Sequence, residues 1–183
     1  MDDCTRYRVL RVYARRTANN TLDFLDCVPE EIPFPIQRIQ TDRGREFFAV
    51  IVQERLKRYG IKFRPNKPAS PHLNGKVERS QKTDKIEFYS TIDLSSPELD
   101  MLLAEWQHYY NWERPHSAHS GKTPMERYCE LMEQTPLSEE VADDYHPTLK
   151  NAVSSTIFFS YPQIWAWPAP PTSVGNWWMP LFT

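Results

Sequence analysis

Apolar positions along the first half of the chain recur with a period that switches between strand-like and helix-like. Asp2-Asp3-Cys4-Thr5 reads as a turn, and Arg6 to Ala14, where Tyr7, Val9 and Val12 mix with arginines, reads as a strand at one edge of a sheet. Thr17 or Asn20 then opens a helix with Leu22, Leu25 and Val28 a turn apart, which Pro33 and Pro35 end. Ile36 to Gln40 predicts a short strand. Glu46 to Tyr59 predicts an amphipathic helix through Phe47, Phe48, Ile51, Val52 and Leu56, with Gly60 as its stop, and Ile61 to Arg64 the next strand.

The second half is helical by the same reading. Pro65 to Pro71 holds three prolines and predicts a mobile loop before a helix that carries Glu78. Ser96-Pro97-Glu98 opens a helix with proline at its first position and an apolar stripe of Leu99, Leu102, Leu103, Trp106 and Tyr110. Thr123-Pro124-Met125-Glu126 is a capping box for a last helix running to about Glu133. The order of elements predicts an α/β fold. Asp42 falls at the C-terminal end of its strand, where open α/β sheets place their ligands.

Charge divides the chain in two. Residues 1–91 carry 18 Lys+Arg against 12 Asp+Glu, and residues 92–183 carry 4 against 12, so the overall −2 hides a basic half and an acidic one. Between Ile36 and Lys85 the balance is 13 against 5, net +8. A basic surface of this kind attracts a polyanion, although a solvated helix face gives the same counts. The length suits one core plus a tail, and no run of about 18 apolar residues predicts a membrane span. The opening residues lack the order of a signal peptide, so a cytoplasmic protein without a membrane partner is expected. Cys4, Cys27 and Cys129 have neither disulfide-framework nor zinc spacing and are expected to be free and mostly buried.

Two acids stand out against this basic background. Asp42 and Glu78 have 35 residues between them, enough for a helix, a strand and a returning loop. Phosphoryl transfer uses such carboxylates to hold divalent ions, and hard oxygen ligands suit Mg²⁺ or Mn²⁺. An Asp before Gly is also a common turn residue, and a Glu beside Arg also marks a solvated helix face. Glu78, Lys82 and Lys85 fall at i, i+4 and i+7 and share one helix face. Lys76 and Arg79 are weaker phosphate contacts, because either can instead flank Glu78 as an ion-pair partner. His116 and His119 lack a further ligand at zinc spacing.

Three segments carry a resemblance: TDRGREFF from Thr41, SPHLNGKVERSQKTDKIEFY from Ser70, and YYNWERPHSAHSGKTPMER from Tyr109. In succession they resemble the integrase catalytic core of insertion-sequence transposases and retroviral integrases, over roughly Asp2 to Cys129. The resemblance implies a ribonuclease-H-like fold, a mixed five-stranded sheet flanked by helices. It also implies an Asp-Asp-Glu triad whose last two acids, 35 residues apart, match Asp42 and Glu78 as catalytic metal ligands. Lys82 and Lys85 match positions that contact DNA, and the loop before Glu78 matches one that closes over DNA. Asn111, Arg114, Pro115 and His116 match a Tyr-Asn-x-x-Arg-Pro-His signature, with His119 where many members carry Leu, a departure expected to weaken the loop's packing.

The implied activity is metal-dependent cleavage and strand transfer of DNA in transposition. The implied partners are transposon ends, target DNA and further copies of the chain or a full-length transposase. The family's first catalytic Asp lies on its first strand, and this chain begins too late for that strand, so an incomplete and inactive core is expected. The alternative is a non-catalytic remnant that binds DNA or a full-length transposase. Residues 1–133 are expected to form the core and 134–183 an acidic linker and tail. Residues 151–183 have no Lys, Arg, Asp, Glu or His, but four of the six tryptophans and five prolines. They resemble nothing in the family and are expected to stay out of the core, as an out-of-frame extension or, alternatively, an aromatic binding segment.

Overall fold

The computed structural model describes residues 1–66, 75–143 and 156–159. Its sheet has three parallel strands in the order β2-β1-β3: β1 is Arg38–Thr41, β2 is Lys62–Pro65 and β3 is Thr156–Phe159. Central position explains the burial of β1. Ile39, Gln40 and Thr41 are all covered, as expected for a strand with neighbours on both edges and packing on both faces.

Between β1 and β2 the chain makes a right-length crossover. A 3₁₀ turn, Arg45–Phe48, leads through extended Ala49 into α2, Val50–Arg58. The single helix expected from Glu46 is thus broken at Ala49, and the break buries Phe47 while leaving Phe48 exposed. Gly60 ends the crossover at φ 65°, in the left-handed region where glycine carries no steric penalty. Helix α1, Ala18–Glu31, is capped by the Thr17 side chain, which accepts from the Asn20 N–H. It lays Leu25 and Val28 on a core shared with Ile39, Phe47, Val52, Leu56 and Ile61.

A second core lies around α4, Leu99–Trp112, which starts two residues after Pro97 rather than at it. Leu103, Trp106 and Tyr110 pack there with Phe88, and the Phe88 and Trp106 rings stack at 5.5 Å. Phe88 belongs to a π-helical turn, Lys85–Tyr89, that continues α3, Gly75–Asp84. Helix α5, Pro124–Leu131, has the expected capping box at Thr123 and runs on through a 3₁₀ turn to Gln134. A short α6, Ser138–Asp143, makes part of the acidic segment regular.

The segment from Arg6 to Ala14 pairs with none of the described strands. Its side chains still alternate: Tyr7 and Val9 enter the first core, and Leu10 and Val12 pack on the second. Side-chain amides of α4 replace the missing ladder. Asn111 accepts from the Arg8 N–H and donates to its carbonyl, and Gln107 accepts from the Leu10 N–H. Four residues of helix rise about 6 Å and two of extended chain span about 6.6 Å, so the two spacings match.

Two further expectations change. Thr156–Phe159 pairs with β1 over four residues, Arg38 with Thr156 through Thr41 with Phe159, so part of the tail joins the sheet. The remaining aromatic tail and the loop at 67–74 lie outside the described residues. All three cysteines are free, but Cys4 and Cys129 are exposed and Cys27 is half-buried. Among the described residues no helix is long and apolar enough to cross a membrane.

Candidate active site

Asp42 follows the last residue of β1 and is exposed. Its Oδ1 accepts from the Gly44 N–H at 3.2 Å, and Thr41 Oγ1 donates to its backbone carbonyl at 2.6 Å. A Cβ at Gly44 would meet the Glu46 carboxylate at 2.5–2.9 Å, the far end of a flexible side chain that can move aside. Strand β2 ends at the same edge: the Asn66 N–H donates to the Thr41 carbonyl at 2.9 Å, and the Gln40 amide donates to Asn66 Oδ1 at 2.6 Å. The chain therefore sets out for Glu78 from beside Asp42.

Glu78 lies in the first turn of α3 and is exposed, as are Lys82 and Lys85. Val77, Asp84 and Phe88 form the buried side of this helix and its π continuation, which fixes the face that the three charged residues present. Asp84 anchors the helix. Its carboxylate pairs with Arg8 at 2.6 Å and accepts from the Trp106 indole at 2.8 Å, while Arg8 also donates to Ser80 at 3.2 Å. The Arg8 guanidinium lies 3.1 Å from the centre of the Tyr110 ring. Burial pushes the Asp84 pKa up, opposed by the attraction of Arg8.

The family-like signature residues do structural work around this anchor. Asn111 binds the Arg8 backbone, and Arg114 makes a two-pronged pair with Glu87 at 2.6 and 2.7 Å. That pair holds the Glu87 carboxyl below its ordinary range. His116 packs edge-on to Tyr110 at 4.6 Å, and burial lowers its pKa to about 4. His119 bonds to the Thr5 carbonyl at 3.0 Å, so the polar residue in place of Leu finds a partner.

Sequence reasoning missed Arg8, Asp84 and Glu87. The only available signal for Asp84 was its spacing of seven from Val77 and four from Phe88, which puts a carboxylate on an apolar face. Lys76 pairs with Asp3 rather than with Glu78, and Arg79 has no carboxylate partner among the described residues. No group of three His, Cys, Asp or Glu side chains able to hold a metal ion comes together among the described residues. Asp42 and Glu78 still offer hard, exposed oxygens. A carboxylate of this kind is the hard oxygen donor that a magnesium-type ion takes alongside water and substrate phosphate.

Two family models, both described as integrase core domain, match residues 1–71 and 59–124. The chain belongs to the integrase core family. The integrase core of this chain also resembles solved structures. One is a chain from the cryo-EM structure of the simian T-cell lymphotropic virus intasome in complex with PP2A regulatory subunit B56 gamma, with a TM-score of 0.54, 22% identity, and coverage of 63% of this chain and 41% of that one. Another is the catalytic core domain of BIV integrase, with a TM-score of 0.51, 22% identity, and coverage of 68% of this chain and 78% of that one. This chain thus spans about two fifths of the intasome chain's length. At this identity the likeness fixes the fold, which is ribonuclease-H-like. No curated protein sequence matches the chain.

Proposed function

We propose that this integrase core acts in DNA integration or transposition by metal-dependent polynucleotidyl transfer, with Asp42 and Glu78 as its metal ligands. The observation that supports this most is the place of Asp42, exposed at the C-terminal end of the central parallel strand, with the chain leaving β2 beside it toward Glu78. Mg²⁺ or Mn²⁺ held there would supply charge to the phosphate under attack and lower the pKa of the attacking oxygen. Asp42 and Glu78 would orient that phosphate through their shared cation. Lys82, one turn further along α3, and Lys85, at the start of its π-helical continuation, would neutralise the adjoining DNA backbone.

The test is cleavage and joining of labelled terminal-repeat DNA with Mg²⁺ or Mn²⁺. Asp42→Asn and Glu78→Gln should each abolish both products while leaving DNA binding in place. Products that persist in either variant would remove that residue from the metal site. A second reading, DNA binding without catalysis, is supported by the absence among the described residues of any group of three His, Cys, Asp or Glu side chains able to hold a metal ion. Salt-sensitive binding with no product from the unsubstituted chain would select it.

A further inference from the structure

A cavity of about 650 Å³ lies against α3 on a different side from Glu78. Lys76, Arg79 and Ser80 line one wall, Arg114 and His116 another, and Arg6 reaches in from the N-terminal segment. At 3.6 residues per turn, positions 76, 79, 80 and 83 centre roughly 140° around the helix axis from positions 78, 82 and 85. The cavity is therefore separate from the proposed metal site.

Its charge is one-sided. Four cations, Arg6, Lys76, Arg79 and Arg114, line it, and no carboxylate does. Asp3 pairs with Arg6 and Lys76, and Glu87 with Arg114, which leaves a local balance of two positive charges. Those pairs also hold three of the cations in place, so a ligand need not order them on binding. Arg79 is exposed and has no carboxylate partner among the described residues. His116 is buried and uncharged at neutral pH, so the arginines and lysine carry the field.

The volume falls in the range of small-molecule and cofactor sites and is far larger than one phosphate needs. Guanidinium groups converging from separate walls suit phosphate oxygens, which accept paired N–H bonds. We propose that this cavity binds the phosphate of a nucleotide, whether free or at an unpaired DNA end, with Arg79 and Lys76 on one wall and Arg6 and Arg114 on the other. The Tyr110 ring is already covered by Arg8 and His116, so recognition is of phosphate and sugar rather than by stacking on a base.

The proposal stands independently of catalysis, because its test reads binding alone. The full chain is titrated with a deoxynucleoside 5′-monophosphate by calorimetry. It is also titrated with a duplex whose single-stranded overhang ends in 5′-phosphate or 5′-hydroxyl. Nucleotide affinity should fall about tenfold in Arg79→Gln and in Lys76→Gln, the scale of one charge-assisted contact, and stay unchanged in Lys57→Gln, an exposed cation of α2 outside the cavity. A preference for the phosphorylated duplex that disappears in Arg79→Gln assigns the DNA end as the source; equal duplex affinities with nucleotide binding retained assign the free nucleotide. No binding of either phosphate ligand, or binding indifferent to Arg79→Gln and Lys76→Gln, overturns the proposal. Arg79→Lys, which keeps the charge and loses the paired geometry, should recover only part of the affinity.

Discussion

Asn111 closes both backbone hydrogen bonds of Arg8 across 103 residues of sequence, accepting from its N–H at 3.0 Å and donating to its carbonyl at 2.8 Å. One side chain thereby serves as a strand edge for the N-terminal segment. Asn111→Leu should destabilise the fold by about 2–4 kcal/mol, since it leaves two buried backbone groups without partners. Urea denaturation measures this, and a midpoint equal to that of the unsubstituted chain would refute the bridging role.

The Arg8–Asp84 pair predicts an asymmetric response. Asp84→Asn should cost about 3–5 kcal/mol because it strands a buried guanidinium, whereas Arg8→Met with Asp84→Leu should cost less than either single change. A double-mutant cycle by thermal unfolding checks the sign. Costs that simply add would mean the two residues act independently.

His116 predicts acid sensitivity. Its pKa is lowered to about 4 in the folded chain by burial first and Arg114 next, against an ordinary value of 6.5. The unfolded chain therefore binds the proton more readily, so stability present above pH 6.5 is lost as pH falls toward 4. The loss attributable to this group is up to about 3 kcal/mol. Melting curves across that window should be flatter for His116→Gln than for the parent.

The third strand predicts that a chain ending at Lys150 melts lower than the full chain. Removing Thr156–Phe159 uncovers one edge of β1, and a ladder of this length contributes a few bonds worth about 1 kcal/mol each. An unchanged melting temperature would mean that β1 does not need this neighbour.

Lys82 and Lys85 predict a salt signature. Replacing both with Ala should weaken binding to unrelated duplexes alike and make the log–log salt dependence shallower by up to about two units. A selective loss for one sequence would point to base contacts instead.

Local chemistry settled much of this protein in advance. The Thr17 cap, the Gly60 stop, the capping box at Thr123 and the short strands bearing Ile39 and Phe63 follow from nearest-neighbour effects: who caps an orphan N–H, who tolerates positive φ, which face is apolar. The position of Asp42 at a strand end was legible for the same reason. Pairing was not. Alternation at Tyr7, Val9, Leu10 and Val12 shows an extended chain between two apolar surfaces, but it cannot say whether a strand or the amides of Gln107 and Asn111 meet its backbone. Lys76 is close to Glu78 in sequence, but side chains two positions apart on a helix point to different sides, and the fold brings Asp3 to Lys76 instead. Thr156–Phe159 carries no charge pattern that names its neighbour, and only the open edge of β1 decides where those backbone groups bond. In each case the sequence determined which face or group needed a partner, and only the tertiary structure, which joins residues distant along the chain, decided which partner met that need.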